Sequence, residues 1–180
     1  MISGYASALI VAFALAMVPP DRAMAQGGSS MAVNIISGLS VLTDRGTLSF
    51  GDILPNTNAS VTVSATSTSS AKYRIRGQQN KNTIITVTTD RTLESSGNAL
   101  YYTPAASYAN TDAPGTATAF PAFTAGTATT WQSQVTLKLA NNLPGNEGQL
   151  WLWLHGTLDD TDGVPPGTYT GAATTSAVYQ

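Results

Sequence analysis

The chain holds one histidine, His155, and no cysteine. Chemistry that needs an imidazole therefore has one place to occur, and chemistry that needs a thiolate has none. A histidine-based hydrolytic triad would have to be built around His155. That residue closes the apolar run Leu150-Trp151-Leu152-Trp153-Leu154-His155, where a structural histidine is the expected reading. No G-x-S-x-G, H-E-x-x-H or glycine-rich phosphate loop occurs. The acidic run Asp159-Asp160-Thr161-Asp162-Gly163 comes nearest to a metal loop. It lacks the D-x-D-x-D-G spacing and distant glutamate of a calcium loop, so it reads as a solvated hairpin turn. A turn of exposed aspartates also offers no carboxyl with a raised pKa for a glycosidase pair. No catalytic residue, cofactor or metal ligand is assigned, and an enzyme is not expected.

The remaining residues with chemistry are binding residues. Trp151 and Trp153 alternate with leucines, so the strand that carries them has two apolar faces. Either the second face is covered by another segment, or it is an exposed aromatic shelf for a sugar ring or a partner. Lys72, Arg74 and Arg76 alternate with Tyr73, Ile75 and Gly77, the pattern of a strand with one solvated cationic face that also guards against stray edge pairing. Only 10% of the chain is charged and its net charge is −2. That balance gives no basic face for nucleic acid or anionic lipid.

The elements that must position these residues begin after a leader. Residues 6–18 form an apolar run too short for a membrane-spanning helix of about 20 residues. Pro19-Pro20 and the small-x-small site Ala23-Met24-Ala25 follow. Residues 1–25 thus read as a cleaved signal peptide, although no Lys or Arg precedes the apolar run. No other long apolar stretch is present, so stable membrane insertion is not expected. Residues 26–38 read as an N-terminal segment and 39–180 as one domain. With no cysteine in an exported chain, the core alone must supply stability.

In the mature part apolar residues recur at period two, which argues strands. Strands are predicted near Met31–Val41, Thr47–Ile53, Ser60–Ala65, Lys72–Arg76, Thr83–Thr88, Leu100–Thr103, Val135–Leu139, Gly148–Leu158 and Thr168–Tyr179. A break is predicted at Thr43–Gly46, and a long surface connection with at most one edge strand over Ala105–Thr130. Short strands parted by Gly, Asn, Asp and Pro clusters make an all-β sandwich or barrel.

The C-terminal segment narrows this. Gly167 is the fourteenth residue from the end and Tyr179 the penultimate one, on an extended stretch that runs to Gln180. A glycine and a penultimate aromatic so placed resemble the C-terminal motif of chaperone–usher fimbrial subunits. Leu48-Ser49-Phe50-Gly51-Asp52-Ile53, Leu154-His155-Gly156-Thr157-Leu158 and Pro166-Gly167-Thr168-Tyr169-Thr170-Gly171 together look like a cysteine-free, pilin-like group of secreted bacterial proteins. The resemblance touches both ends of the domain and leaves the middle half unmatched. It implies an immunoglobulin-like β-sandwich that lacks its last strand, pairs with a periplasmic chaperone, and polymerises as neighbouring subunits donate that strand. Tyr169, Ala173, Ala177 and Tyr179, with Gly167, would then form the chaperone- and subunit-binding strand. Met31, Val33 and Ile35 would be the apolar face of the donated segment, unless Met31–Leu42 is the domain's own first strand. The chain also lacks the disulfide of ordinary fimbrial subunits. The expected location is the periplasm and then the cell surface. The alternative is a self-complete secreted module that binds glycan or a partner through Trp151 and Trp153.

Overall fold

The computed structural model describes residues 38–54, 60–121, 130–140, 142–159 and 161–180. The chain divides into two compact units, Met1–Ile35 and Ile36–Gln180, and the described residues belong to the second. The leader and Met31, Val33 and Ile35 lie outside the described residues.

Where side chains alternate between apolar and polar, the backbone is extended. In β3 (Ala71–Gln78), Ala71, Tyr73, Ile75 and Gly77 are buried while Lys72, Arg74 and Arg76 face the other way. In β4 (Asn82–Asp90), Thr83, Ile85, Val87 and Thr89 are buried. Such alternation needs one covered face and one wet one. The other strands are β1 (Ser40–Arg45), β2 (Val61–Val63), β5 (Thr92–Ser95), β6 (Asn98–Ala109), β7 (Thr118–Ala119), β8 (Thr130–Lys138), β9 (Glu147–Leu158) and β10 (Ala173–Tyr179). Among the described residues the only helical element is a 3-10 turn, Pro114–Thr116, and no helix is long and apolar enough to cross a membrane.

All pairings are antiparallel and make two sheets. The larger runs β1-β3-β9-β6-β5, with β2 continuing along β9 beyond β3 and β7 beside β6. The smaller runs β10-β4-β8. The fold is therefore the all-β sandwich that the sequence predicts. A tight crossing at Gln79-Asn80-Lys81, with Asn80 in the left-handed region at φ 58°, carries the chain from β3 in one sheet to β4 in the other.

The core has two parts. Ile75, Ile85, Val87, Leu150, Leu152 and Leu154 meet between the sheets and belong to one cluster. Leu100, Tyr102 and Leu158 form a second, packed by Leu48, Phe50 and Ile53 on one side and Val164 and Tyr169 on the other. Phe50 meets Tyr102 edge-on, with ring centroids 5.8 Å apart.

Several predicted elements differ from those observed. The predicted break at Thr43–Gly46 falls inside β1, which runs through Thr43 to Arg45 by way of a register shift. Thr47–Ile53 is not a strand, yet Leu48 and Phe50 do face the core as expected. The predicted surface connection over Ala105–Thr130 contains the second half of β6, whose Ala106 and Ala109 are buried, and then β7. Strand β10 starts at Ala173 rather than Thr168, because Gly167–Ala172 follows an irregular path with one bridge, Glu94–Thr170.

Candidate functional site

The most unusual element is β10. It pairs with β4 over its whole length, Ala173 opposite Thr89 through Tyr179 opposite Thr83. Among the described residues no strand pairs with its other edge. No residue of β10 is buried, and Val178 on its outward face is 55% exposed. Backbone N–H and C=O groups on a bare edge are a template for another strand.

Both ends of β10 are pinned. At its start the carboxylate of Asp90 accepts the N–H of Ala172 at 2.7 Å, and the N–H of Asp90 donates to the Ala172 carbonyl at 3.0 Å. The Thr89 hydroxyl lies 3.2 Å from the same carbonyl and 2.5 Å from the Tyr102 hydroxyl. The Thr89 hydroxyl also lies 3.2 Å from the Asp90 carbonyl, so its one proton has three acceptors within reach. Burial raises the Tyr102 phenol above its usual pKa, despite the hydrogen bond with Thr89, so it stays neutral. At the far end the Gln180 N–H donates to the Asn82 carbonyl at 3.0 Å. The N–H of Gln78 donates to the Tyr179 hydroxyl at 2.5 Å.

Beside the start of β10 the sandwich is incompletely filled. A cavity of about 630 Å³ lies among the second core cluster, bounded by the segment Gly46–Leu54 that follows β1 and the segment Val164–Ala173 that leads into β10. Its walls include Phe50, Leu93, Leu100, Tyr102 and Leu158. Pro165, Pro166, Gly167 and Gly171 explain why the lead-in is irregular. A Cβ at Gly171 would lie 3.0 Å from the Thr92 carbonyl oxygen and 2.9 Å from Leu93 Cδ2, and one at Gly167 2.8 Å from Ser95 Oγ.

The described residues of the sequence-predicted interface are spread along β10 and its lead-in, with Tyr179 at the end away from the cavity. Ala173 lines the cavity, Ala177 packs on the first core cluster and Tyr169 on the second, its hydroxyl donating to the Pro165 carbonyl at 2.8 Å. Gly167 lines the same cavity. The tryptophans lie elsewhere. Trp151 and Trp153, 8% and 1% exposed, form a small core on the outer face of the larger sheet with Ala109, packed by Ala65 and Ala117. The Lys72 ammonium stands 4.3 Å from the centre of the Trp151 ring and the Arg74 guanidinium 5.1 Å from it. No tryptophan face is left for a sugar ring.

The cationic strand is not an edge and not a free patch. Strand β3 sits between β1 and β9. Asp112 pairs with Lys72 at 2.5 Å, Asp44 with Arg74 at 3.2 Å and Glu147 with Arg76 at 2.7 Å. His155 Nε2 lies 2.9 Å from Ser107 Oγ on the neighbouring strand, and burial pushes its pKa down. Among the described residues no carboxylate reaches His155, and no group of three metal-ligating side chains is found. Sequence reasoning missed Thr89, Asp90 and Gly77. The last had a signal, since a glycine inside an alternating strand marks a close approach.

No family model matches the chain, and neither a curated protein nor a solved structure matches it.

Proposed function

We propose that the chain is a structural and adhesive subunit of a bacterial surface fimbria, an exported immunoglobulin-like sandwich that assembles by accepting a strand at β10 from another copy. The observation that supports this reading is the edge of β10, along which no strand pairs among the described residues, beside a cavity of about 630 Å³. Main-chain bonds to the edge would give affinity, and apolar side chains entering the core would give specificity. The candidate donor is the segment holding Met31, Val33 and Ile35, whose alternation puts three apolar side chains on one face.

The course of β1 favours donation between copies. Leu39, just before β1, and Tyr179 both reach Gly77, whereas Gly46, just after β1, borders the cavity at the Ala173 end. The six residues of β1 span about 20 Å at ~3.3 Å each. The chain therefore enters the domain at the end away from the cavity. Until a neighbour arrives, an edge beside exposed core invites aggregation, which gives a periplasmic chaperone its role. Single cysteines test the pairing without interference, because the chain has none of its own. Mixing Val33→Cys with Thr175→Cys chains under mild oxidation should give a cross-linked dimer that forms with neither chain alone. Its absence, at this and neighbouring pairs along β10, contradicts the proposal.

A further inference from the structure

We infer that the cavity beside the start of β10 is a binding site for a neutral aromatic alcohol, held by ring contacts and by a hydrogen bond to Thr161. The inference goes beyond the strand-complementation reading and does not rest on it, because the ligand occupies a single chain.

Thr161 belongs to the acidic run that reads in the sequence as a solvated turn. That turn is only partly solvated. Asp159 and Asp162 are exposed, whereas Thr161 between them is 3% exposed and forms part of the cavity wall. The Asp159 carboxylate accepts the Thr103 hydroxyl at 2.9 Å, which ties the start of the turn to β6. Gly163, in the left-handed region at φ 68°, lets the chain reverse into Val164, which packs on the second core cluster. The Thr161 hydroxyl is buried and has no hydrogen-bond partner in the protein. A buried hydroxyl left so is costly. The other two hydroxyls buried in this wall, those of Thr89 and Tyr102, bond each other. Among the described residues, Thr161 is therefore the buried hydroxyl of the wall left over for a ligand.

The rest of the wall sets the chemistry of that ligand. Phe50, Tyr73, Tyr102 and Tyr169 bring aromatic rings to it, and such rings favour an aromatic guest through edge-on and offset contacts. A volume of about 630 Å³ is in the range that takes small organic molecules. No Lys, Arg or His stands among the described residues of the wall, and its one charged side chain, Asp52, is exposed. An anion would lose its water there and gain no cation in return. An alcohol, by contrast, both donates to and accepts from a threonine hydroxyl. A turn between staggered χ1 wells aims the Thr161 oxygen at it.

The test is equilibrium dialysis of the full chain at neutral pH against naphthol, its parent hydrocarbon naphthalene and the carboxylate naphthoate. Naphthol should bind one per chain, and naphthoate more weakly. Thr161→Val keeps the shape of the side chain and removes its hydroxyl. It should weaken naphthol by roughly five-fold, the worth of one such hydrogen bond, and leave naphthalene unchanged. Without ligand this variant should melt no lower than wild type, since valine has no polar group to leave unmet. Leu93→Trp, at a half-buried wall residue on β5, should fill the space and abolish binding of naphthol and naphthalene alike. Failure of naphthol to bind wild type overturns the inference. So does equal affinity of wild type and Thr161→Val for naphthol, or undiminished binding by a folded Leu93→Trp chain. None of these results bears on whether copies assemble through β10, which the cysteine cross-link reads separately.

Discussion

Strands β9 and β10 differ sharply in burial. No residue of β9 is exposed, whereas no residue of β10 is buried, as is also true of β1, β5 and β7. Strand β9 has a neighbour on each side, β3 and β2 on one and β6 on the other. Its inward face carries Leu150, Leu152 and Leu154, and its outward face the covered pair Trp151 and Trp153. Among the described residues β10 pairs with a strand on one side only, β4, over its whole length, with further bonds at its two ends. Strand β9 is central to the larger sheet, while β10, like β8 at the other end of the smaller sheet, has a strand on one side only among the described residues. Sheet edges are often blunted with charge. The stretch Ala173–Tyr179 carries no charge at all.

The largest expected effect breaks the strong strand. Leu152→Ala removes a fully buried side chain and should cost about 2–5 kcal/mol, read by denaturant unfolding. It should lower stability without altering the affinity of the native fraction for an added strand. Thr89→Val tests the weak strand at its pinned start. It leaves the Tyr102 hydroxyl without its Thr89 partner and the Ala172 carbonyl with the Asp90 N–H alone, for about 1–3 kcal/mol. Amide hydrogen exchange should quicken at Ala172 and Ala173 and not in β9.

A smaller effect is expected from pH. Burial keeps His155 below its ordinary pKa, so the folded chain binds a proton less readily than the unfolded one. Its contribution is complete above the ordinary value of about 6.5, declines as pH falls through it, and keeps declining down to the folded value. Melting temperatures between neutral and mildly acidic pH should fall for wild type and fall less for His155→Gln. The smallest effect belongs to Asp44→Asn. It removes the partner of Arg74 and a 3.9 Å neighbour of Lys72, both partly exposed, and should cost under about 1 kcal/mol. Added salt should shrink that difference further.

Much of this contrast was legible in the sequence. The alternation of Ala71–Gln78, the two apolar faces of Gly148–Leu158 and the extended C-terminus all announce their strands, and β9 is where both faces were expected to be apolar. Period two, however, reports which way side chains point and not whether a partner strand lies alongside. That is why Leu48 and Phe50 face the core from a segment that is no strand. The second half of β6 was hidden for another reason. Its buried residues are Ala106, Ser107 and Ala109, too small to mark an apolar face, and Pro104 argues against a strand interior. Pro104 lies opposite Gly156, where a Cβ would strike the Thr103 carbonyl oxygen, so the glycine makes room for that close approach. The pinning of β10 by Thr89, Asp90 and Tyr179 depends on which segments meet in space, and no local pattern encodes it.

The central claim is that β10 is completed by a strand from another copy. Its most direct test is the size distribution of the exported chain, with and without deletion of residues 26–36, measured by analytical ultracentrifugation. Large assemblies that disappear on deletion are predicted, with the shortened chain keeping its β-sheet signature. A stable monomer in both cases would contradict the account and leave β10 an ordinary edge.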